Sequence, residues 1–558
     1  MPVEQLSRRK AYSVRKASLE QERTSWDSHW RELGEYISPR RSRFLLTDAN
    51  RGDKKNSKII DATATYAVRT LQSGMVSGVT SPARPWFNLQ VPVPSLRELA
   101  SVKDWLHTVT TRMRDVLLES NFYTALPVLY GDIGVFGTGA MAALEDDDTV
   151  VRFTTFPIGS YYISANRRGI VDCFIREFRM TVRQLVEQFG ADSLSLTAKL
   201  AWEAGRAEEW IDVCHIIEPN PDADANKLES KFKPYRAQYF EVSSEEEKYL
   251  AEEGFDEFPV LVVRWATTGE DVWGSSPGMD ALPDIKSLQL YEKRAAQAIE
   301  KIVNPALIGP TSLRNSAPSN LPGSITYADT RDGLQGLKPI HDVNWRVNEV
   351  EMKAEQIRMR VRRAFYEDLF LMLANDRRSG VTAREIDERH EEKLLALGPV
   401  LERLNDELLD PLIDRIFSIM VRKGLVPPPP PELEGLPIKV EYISIMAQAQ
   451  KMVGIAGVDR LIGFAANLVA ITRDPGHMDK IDTDQAIDEM AEMLGTSPRI
   501  VRSDELVASI KKGRADQQAA QQKAEMGALM AQSAKTLSET DTEKKSALTD
   551  TMRRMGAQ

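Results

Sequence analysis

The sequence contains few of the residues that carry enzyme and metal chemistry. Among 558 residues there are two cysteines, Cys173 and Cys214, and six histidines. Two cysteines cannot form a framework of disulfides, so a reducing compartment is the default expectation. The chain has neither a G-x-x-x-x-G-K-[S/T] phosphate loop nor an H-E-x-x-H zinc motif. We therefore expect no catalytic residue, no metal ion, no cofactor and no ATP hydrolysis by the phosphate-loop route.

A surplus of positive charge is also missing. The chain has 72 Lys and Arg residues against 82 Asp and Glu residues, a formal net charge of -10. A protein that grips duplex DNA usually presents a basic face, because binding releases counterions from the phosphates. The charge therefore argues against tight, sequence-reading DNA binding, although a mildly acidic wall would suit a surface past which DNA slides.

No segment has the length and hydrophobicity of a membrane anchor. The longest apolar run, Leu461–Thr472, is too short to span a bilayer. The first residues, MPVEQLSRRKAY, lack the apolar core of a signal peptide. We therefore expect a chain that is made in the cytoplasm and has no membrane partner.

Three short motifs imitate ligand or catalytic sites. Residues 134–139, GVFGTG, have the reverse of the dinucleotide spacing and predict a tight glycine turn. Asp146–Asp148 lie between two predicted strands, which indicates a hairpin tip rather than a metal site. Residues 274–278, GSSPG, match the nucleophile elbow of α/β-hydrolases and make Ser276 a remote candidate for a serine hydrolase. The residue after that serine is Pro277, which lacks the N–H that an oxyanion hole needs, so a strand-to-helix turn is favoured.

Hydrophobic periodicity predicts an α+β fold that is mainly helical. A stripe at steps of 7, 4, 3 and 4 predicts an N-terminal helix ended by Pro39: Leu19, Trp26, Trp30, Leu33 and Ile37. Further helices are expected at about 57–79, 96–120 and 181–189, and strands within 139–178 and at 235–242 and 259–266. The basic patch after the first helix is either a solvated loop or a contact with nucleic acid or a neighbouring subunit: Arg40, Arg41 and Arg43.

The clearest periodicity lies in the second half of the chain. An apolar seam of period 3.5 is formed by Val347, Val350, Ala354, Ile357, Val361 and Ala364. Such a helix either packs inside its own subunit or lines up beside copies of itself around a ring. The polar loop Asn375–Gly380 follows, and Thr382 with Glu385 forms a capping box for a helix that Pro399 and Pro411 should kink.

Six segments resemble the head-to-tail connector, or portal, proteins of short-tailed, T7-like bacteriophages. They are LQSGMVSGVTSPARPWFNL (71–89), GVFGTGAM (134–141), FPIGSYY (156–162), FIREFRMTVRQLVEQFG (174–190), VWGSSPGMDALPDIKSLQ (272–289) and RHEEKLLALGPVLERLNDELLDPLIDRIF (389–417). The segments occur in the order expected for the family and span nearly the whole chain, with the last forty residues matching least clearly.

The resemblance implies the phage portal fold, with wing, stem, clip and crown regions in a ring-forming subunit. The implied boundaries are 1–277 for the wing, 278–303 and 346–373 for two stem helices, 304–345 for the clip, 374–381 for a tunnel loop, 382–446 for a long kinked helix returning to the wing, and 447–558 for a helical crown. The candidate channel loop is Asn375, Asp376, Arg377, Arg378, Ser379 and Gly380, and the candidate clip contacts are Arg314, Asn315, Asn320 and Arg331.

The resemblance also implies a structural role and not an enzymatic one. A portal is a twelve-subunit ring at one capsid vertex of the virion, assembled from chains made in the host cytoplasm. It conducts double-stranded DNA without reading sequence, during packaging and during ejection. Its implied partners are the terminase large subunit, a tail adaptor protein, and the major capsid and scaffolding proteins, whose assembly it initiates. A non-portal oligomeric adaptor or scaffold of the virion is the alternative.

Overall fold

The computed structural model describes two compact units of the chain. The described residues are 7–44, 52–93, 96, 99–227, 229–244, 247–304, 306–308, 338–339, 347–375, 397–433, 435, 437–443, 461–472, 476, 481–482, 484–487 and 504–538. The first unit comprises 1–89, 108–428 and 440–478, and the second comprises 90–107, 429–439 and 479–558.

Eleven named helices run through the described residues. They are α1 Arg8–Tyr36, α2 Thr63–Gly78, α3 Ala100–Glu119, α4 Phe122–Phe136, α5 Val182–Phe189, α6 Leu196–Glu203, α7 Pro277–Val303, α8 Val347–Ala364, α9 Glu367–Asn375, α10 Asp410–Arg422 and α11 Asp504–Ser538. Residues 397–404 and 461–472 are also helical. None of the helices within these described ranges is long and apolar enough to cross a membrane.

The strands form two main antiparallel sheets. The strands are β1 Phe87–Gln90, β2 Thr138–Asp146, β3 Val150–Phe156, β4 Tyr161–Ala165, β5 Val171–Thr181, β6 Trp210–Pro219, β7 Tyr235–Glu241, β8 Ala251–Phe255, β9 Val260–Arg264, β10 Leu307–Ile308, β11 Lys338–Pro339 and β12 Lys439–Tyr442. One sheet has the order β3-β2-β9 and the other β4-β5-β6-β7-β8. β1 pairs with β12, and β10 pairs with β11.

Helix α1 covers one face of the five-stranded sheet. Its Tyr12 and Leu19 join a buried cluster with side chains from β4, β5, β6 and β7 that includes Cys173 and Cys214. Burial raises the pKa of each of these two thiols to about 12, so neither is a thiolate at neutral pH. Ion pairs to the same sheet, such as Lys16 with Glu177, supplement the apolar contact. The periodic stripe therefore predicted this helix correctly, and both cysteines are core residues.

The opposite face of this sheet carries α5 and α6. Leu185 of α5 and Ala198 of α6 pack against Val213 and Tyr239 of the sheet. Helix α5 begins with a capping box in which the hydroxyl of Thr181 accepts the N–H of Gln184. It ends at Gly190, whose φ is +78°.

Helix α4 occupies the interior of the first unit. Every residue from Leu129 to Phe136 is buried, and the first half of the helix contains Pro127. It ends at Gly137, which adopts the left-handed conformation with φ of +80°. Because the second half is buried all round, it has no polar stripe and its sequence shows no helical periodicity.

Asp132 of α4 is the buried partner of the basic patch that follows α1. Arg41 donates through Nε to Oδ1 of Asp132 at 2.9 Å, and a second nitrogen pairs with Oδ2. Burial raises the pKa of Asp132, while the charge and hydrogen bonds of Arg41 oppose that rise. Arg41 is therefore a structural residue, and a solvated loop is the wrong interpretation for it.

The long helix of the second half changes its winding before Pro411. Residues 397–404 continue as a π-helix over Asn405–Leu409, and α10 then begins at Asp410. Proline cannot donate a backbone hydrogen bond, so the ladder is interrupted at the position where the sequence predicted a kink. Within the π turn, Glu407 accepts from the backbone N–H of Arg264 at 2.9 Å and from its guanidinium at 2.6 Å. This pair attaches the helix to β9.

A buried histidine in the five-stranded sheet makes its stability sensitive to acid. Burial, and then the positive charge of Arg176, hold the pKa of His215 well below its usual range. His215 therefore binds a proton near pH 6.5 in the unfolded chain but stays neutral at that pH in the folded chain. The free energy of unfolding falls as pH drops below that value. We expect His215→Gln to remove about 1 kcal/mol of the stability loss between pH 6.5 and pH 5.5.

Thermal unfolding of the wild type and the variant at pH 7.5, 6.5 and 5.5 measures this effect. Equal acid sensitivity in His215→Gln and the wild type would contradict the prediction.

Candidate functional site, a helix pair and its glycine-rich base

Helices α7 and α8 pack against each other and form the candidate site. The first half of α7 is built into its own unit, with Ile285 fully buried and Leu288 1% exposed. From Leu290 onward the side chains of α7 are partly or fully exposed. The exposed apolar residues of that second half are Leu290, Tyr291, Ile299, Ile302 and Val303, of which Val303 is 77% exposed.

The predicted seam of α8 faces the interior of the chain at its centre. Ala354 is 2% exposed, Ile357 is 5% exposed and Val361 is fully buried. Val350 and Ala364, nearer the two ends of α8, are half-buried, and the side chain of Val347 lies outside the described residues. Packing within the subunit was one of the two alternatives for this seam, and the burial favours it at these central positions.

The two glycine motifs, residues 134–139 and 274–278, meet at the N-terminal end of α7. The backbones of Gly137 and Gly274 approach so closely that a Cβ on Gly137 would lie 2.0 Å from the carbonyl oxygen of Gly274. A Cβ on Gly274 would lie 2.3 Å from the carbonyl oxygen of Gly137. The backbone N–H of Gly274 also donates to the hydroxyl of Thr138 at 2.8 Å. The two motifs are thus halves of one backbone contact.

Ser276 begins α7 and is not placed as a nucleophile. Its hydroxyl donates to the carbonyl oxygen of Val135 at 2.7 Å and accepts the N–H of Met279 at 3.1 Å. The residue is 2% exposed, and Pro277 occupies the first turn of the helix. Ser276 is therefore the N-cap of α7, with both its donor and an acceptor site in use.

Arg358 joins the two helices to the segment that precedes α2. Its guanidinium pairs with Asp61 at 2.8 Å, with Glu292 of α7 at 2.6 Å and with Glu355 at 3.0 Å. Hydrogen bonds to Asp61 and then Glu355 raise the pKa of Arg358 above its ordinary value. Burial alone would raise the pKa of Asp61, but hydrogen bonds from Thr63 and Arg358 outweigh it and lower that pKa. Both groups therefore stay charged across the neutral range.

The side chain of Gln289 on α7 forms hydrogen bonds with the backbone of the same segment, the residues that precede α2. Its side-chain oxygen accepts the N–H groups of Ile60 at 2.6 Å and Asp61 at 2.8 Å. Its side-chain nitrogen donates to the carbonyl oxygen of Asp61 at 3.0 Å. Sequence patterns gave no signal for these contacts, because Gln289 and Arg358 lie far along the chain from residue 61.

The second predicted stem helix, 346–373, is two helices in the structure. Helix α8 ends at Ala364 and α9 begins at Glu367. Between them Tyr366 has φ of +57°, a left-handed conformation that tyrosine rarely adopts and that ends a helix. Tyr366 lies against Trp265, with 5.9 Å between ring centroids. The expectation of a single uninterrupted helix was wrong.

The remaining predicted site residues are mostly outside the described part of the chain. Asn375 is the last residue of α9, so it belongs to that helix rather than to the loop. The residues outside the described ranges are Asp376, Arg377, Arg378, Ser379 and Gly380 of the loop and Arg314, Asn315, Asn320 and Arg331 of the segment 304–345. Their roles stay predictions.

The acidic run of the β2–β3 hairpin has a local structural use. The carboxylate of Asp146 accepts the backbone N–H of Thr149 at 2.9 Å and its hydroxyl at 2.8 Å. These hydrogen bonds lower the pKa of Asp146. The run therefore closes the hairpin turn, as its position between two strands predicted. Over the residues that the structure describes, no group of three or more His, Cys, Asp or Glu side chains could hold a metal ion.

Comparison with known proteins places the whole chain among phage proteins. A family model described as bacteriophage head to tail connecting protein matches residues 9–501. The portal protein of Salmonella phage epsilon15 is 49% identical over 542 residues, which are 97% of each chain. A probable portal protein of Bordetella phage BPP-1 is 42% identical over 545 residues, 98% of each chain. A chain in the neck of an empty gene transfer agent particle matches with a TM-score of 0.37 and 11% identity, over 78% of this chain and 90% of that one.

Proposed function

The chain belongs to the bacteriophage head-to-tail connecting proteins, the portal family, and on that premise we propose that twelve copies close into a ring around an axial DNA channel. A connector role at the capsid vertex, and conduction of DNA, follow from the family. The geometric observation that supports the ring is the α7–α8 pair. It is anchored at its base, and it exposes apolar side chains along its second half.

The exposed apolar side chains fit a contact between copies. A ring needs a heterologous interface, in which one face of each copy meets a different face of the next. The second half of α7 offers Ile299, Ile302 and Val303, while α8 offers Met352 and Met359, which are 61% and 47% exposed. Exposed apolar residues grouped in this way usually mark an interaction surface. We assign α7 and α8 as the stem helices and 304–345 as the clip.

The channel contacts are proposed at the loop that follows α9. In a ring of copies, Arg377 and Arg378 would form a circle of positive charge. The assembly around it would be acidic, because each copy carries a net charge of -10. Phosphate contacts position DNA without reading its sequence, and a few such contacts permit sliding. We place the crown at 447–558 and the wing mainly at 1–277.

The proposed binding partners are assigned to regions of the portal plan given above. The clip, including Arg314 and Arg331, would meet the terminase large subunit during packaging and the tail adaptor protein afterwards. The major capsid and scaffolding proteins would assemble around the ring, at one vertex of the virion. We assign no enzyme activity to the chain, because the one hydrolase-like serine, Ser276, is a buried helix cap.

Val303→Asp tests the proposed interface. Burying a valine between copies contributes about 1.5–3 kcal/mol, and a carboxylate there would forfeit it. We therefore expect the midpoint concentration for ring assembly to rise at least about tenfold, while the free subunit unfolds at the wild-type temperature. Mass photometry across a dilution series measures the assembly.

Val14→Asp is the matched control, because Val14 is 57% exposed and lies on α1 rather than on α7 or α8. Its assembly should equal that of the wild type. If Val303→Asp assembled like the wild type, the second half of α7 would not be part of the interface between copies.

A further inference from the structure

Strand β9 is an outer strand of the three-stranded sheet, with β2 on one side only. In an antiparallel pair, alternate residues turn their backbone N–H and C=O groups toward the neighbouring strand. The carbonyl oxygen of Pro259 accepts from Ala143 at 2.9 Å, so the odd-numbered residues of β9 bond to β2. The backbone groups of Val260, Val262 and Arg264 therefore point away from β2, along the outer edge of the sheet.

The middle of this outer edge has no hydrogen-bond partner. The N–H of Arg264 donates to the carboxylate of Glu407 at 2.9 Å, which confirms the direction in which the edge faces. Within the residues that the structure describes, the N–H and C=O groups of Val260 and Val262 are unpaired. The two valines are 3% and 6% exposed, and buried backbone groups without a partner are rare in folded proteins.

The opposite edge of the same sheet is capped. On β3, the side-chain nitrogen of Asn121 donates to the carbonyl oxygen of Phe153 at 2.7 Å. The side-chain oxygen of Asn121 accepts the N–H of Phe153 at 2.8 Å. Proteins usually protect outer strands in some such way, because an open edge is a template for pairing with another chain. The fold thus caps β3 and leaves the middle of β9 available.

The unpaired edge lines a cavity of about 1080 Å³ that is partly open to solvent, which we call the β9 groove. Its other walls are the β4–β5 turn, the loop 267–272, the π turn with Glu407, and the side chains of Tyr235 and Phe258. The volume matches the largest ligand-binding clefts, about 1,000 Å³. Because the edge is recessed, a single extended peptide can reach it, whereas the edge of a folded sheet cannot.

Unpaired charges of opposite sign stand on two walls of the β9 groove. Arg167 and Arg168 are exposed on the β4–β5 turn, and Glu270 and Asp271 are exposed on the loop 267–272. In the part of the chain that the structure describes, none of these four side chains forms an ion pair or a hydrogen bond. A bound segment with an acidic side chain at one end and a basic side chain at the other would complement them.

We propose that the β9 groove binds an extended arm of another protein, which adds a strand to the outer edge of β9. Main-chain hydrogen bonds to Val260 and Val262 supply the affinity, and the charged walls orient the arm. A second copy of this chain is a less suitable source, because each strand of its described part already belongs to a sheet. The inference does not depend on the proposed ring.

Peptide binding to the full-length protein tests strand addition. The probe is a fluorescein-labelled synthetic peptide, Asp-Val-Thr-Val-Thr-Lys, followed by fluorescence anisotropy up to about 1 mM protein. N-methyl groups at alternate residues block one edge of a peptide strand and leave the other free. We expect this half-methylated peptide to bind within about threefold of the unmodified one. The fully N-methylated peptide should bind at least about tenfold more weakly, because it cannot donate to the edge.

Equal binding of the two methylated peptides, or no binding of the unmodified peptide, would overturn the inference. Hydrogen exchange resolved to single residues locates the contact in the wild type. The bound peptide should slow exchange at Val260 and Val262. Exchange at Leu261 and Val263 should stay the same, because their N–H groups already bond to β2. Slowing elsewhere and not at the two valines would also overturn it.

Val262→Pro distinguishes the source of the arm. Proline removes the outward N–H of residue 262 and keeps the bonds of its neighbours to β2, so an outer strand can accept it. We expect the variant to lose peptide binding at least about tenfold and to form the same particles as the wild type in mass photometry. A variant with wild-type Tm that no longer assembles would identify a second copy as the source and overturn the assignment to another protein. Wild-type subunits that never assemble would contradict the proposed ring and leave the peptide result unaffected.

Discussion

Replacing Arg41 with methionine is expected to lower the free energy of unfolding by about 3–5 kcal/mol, the cost of leaving a buried charge unpaired. Asp132 is 2% exposed, and Arg41 donates a hydrogen bond to each of its two carboxylate oxygens. Methionine fills a similar volume, so packing is largely kept. Denaturant unfolding of the subunit, followed by tryptophan fluorescence, reports this region because Trp30 donates to the carbonyl oxygen of Phe136 on the same helix.

The free energy of unfolding that Arg41→Met loses should depend on pH in a defined direction. Burial already raises the pKa of Asp132, and Arg41 opposes that rise. Without Arg41 the pKa rises further, so the carboxyl group takes up a proton more easily in the folded variant. The protonated form is neutral and tolerates burial. The stability gap between variant and wild type should therefore be largest near neutral pH and shrink as pH falls.

A double variant separates a lost charge partner from lost packing. Arg41→Met combined with Asp132→Leu removes both charges and should recover most of the lost stability. Arg183→Met is the control, because the pair of Arg183 with Glu208 is exposed and should contribute at most about 1 kcal/mol. If Arg41→Met lost no more stability than Arg183→Met, the buried pair would not have the role assigned to it.

Gly137→Ala is expected to lower the free energy of unfolding by about 2–5 kcal/mol. A left-handed conformation costs a residue with a Cβ about 1–2 kcal/mol. The new methyl group would also lie 2.0 Å from the carbonyl oxygen of Gly274, and such overpacking costs about 1–3 kcal/mol. Backbone must move to relieve the overlap, and that backbone leads directly into Ser276 and α7. We therefore expect the variant to assemble poorly as well as to unfold more easily.

Gly205 provides a matched control for this substitution. It has φ of +73°, but nothing lies within 4 Å of the position that a Cβ would take. Gly205→Ala should therefore cost only the conformational part, about 1–2 kcal/mol, and leave assembly unchanged. Equal losses in the two variants, measured by denaturant unfolding, would mean that the close approach of the two glycine motifs has no energetic weight.

Sequence patterns predicted helix α1 and several of the strands. Helix α1 was predicted because its apolar residues recur at the helical period, and strands β2 to β5 lie within 139–178, where short apolar and β-branched runs predicted strands. Helix α4 was missed because its second half is buried on all sides and shows no polar stripe, and strand β6 was not assigned. The family was evident from six long segments, and the full-length match to portal proteins confirms it.

The candidate site was only partly predictable. The seam of α8 was visible, but the burial of Ile357 within its own chain depends on α2 and α7, which are distant in sequence. Arg358 and Asp61 are 297 residues apart, and no local pattern connects them. Tyr366 has a side chain that argues against a left-handed conformation, so the break after α8 could not be read from residue type. Tertiary packing decides all three features.

Electron microscopy of the purified full-length protein tests the assembly of copies around a hole most directly. The account predicts cyclic particles of about 750 kDa, twelve times the 62.6 kDa chain mass, each with an open centre wide enough for a double helix. Particles that remain single subunits at high concentration, or rings whose centre is filled by protein, would contradict it.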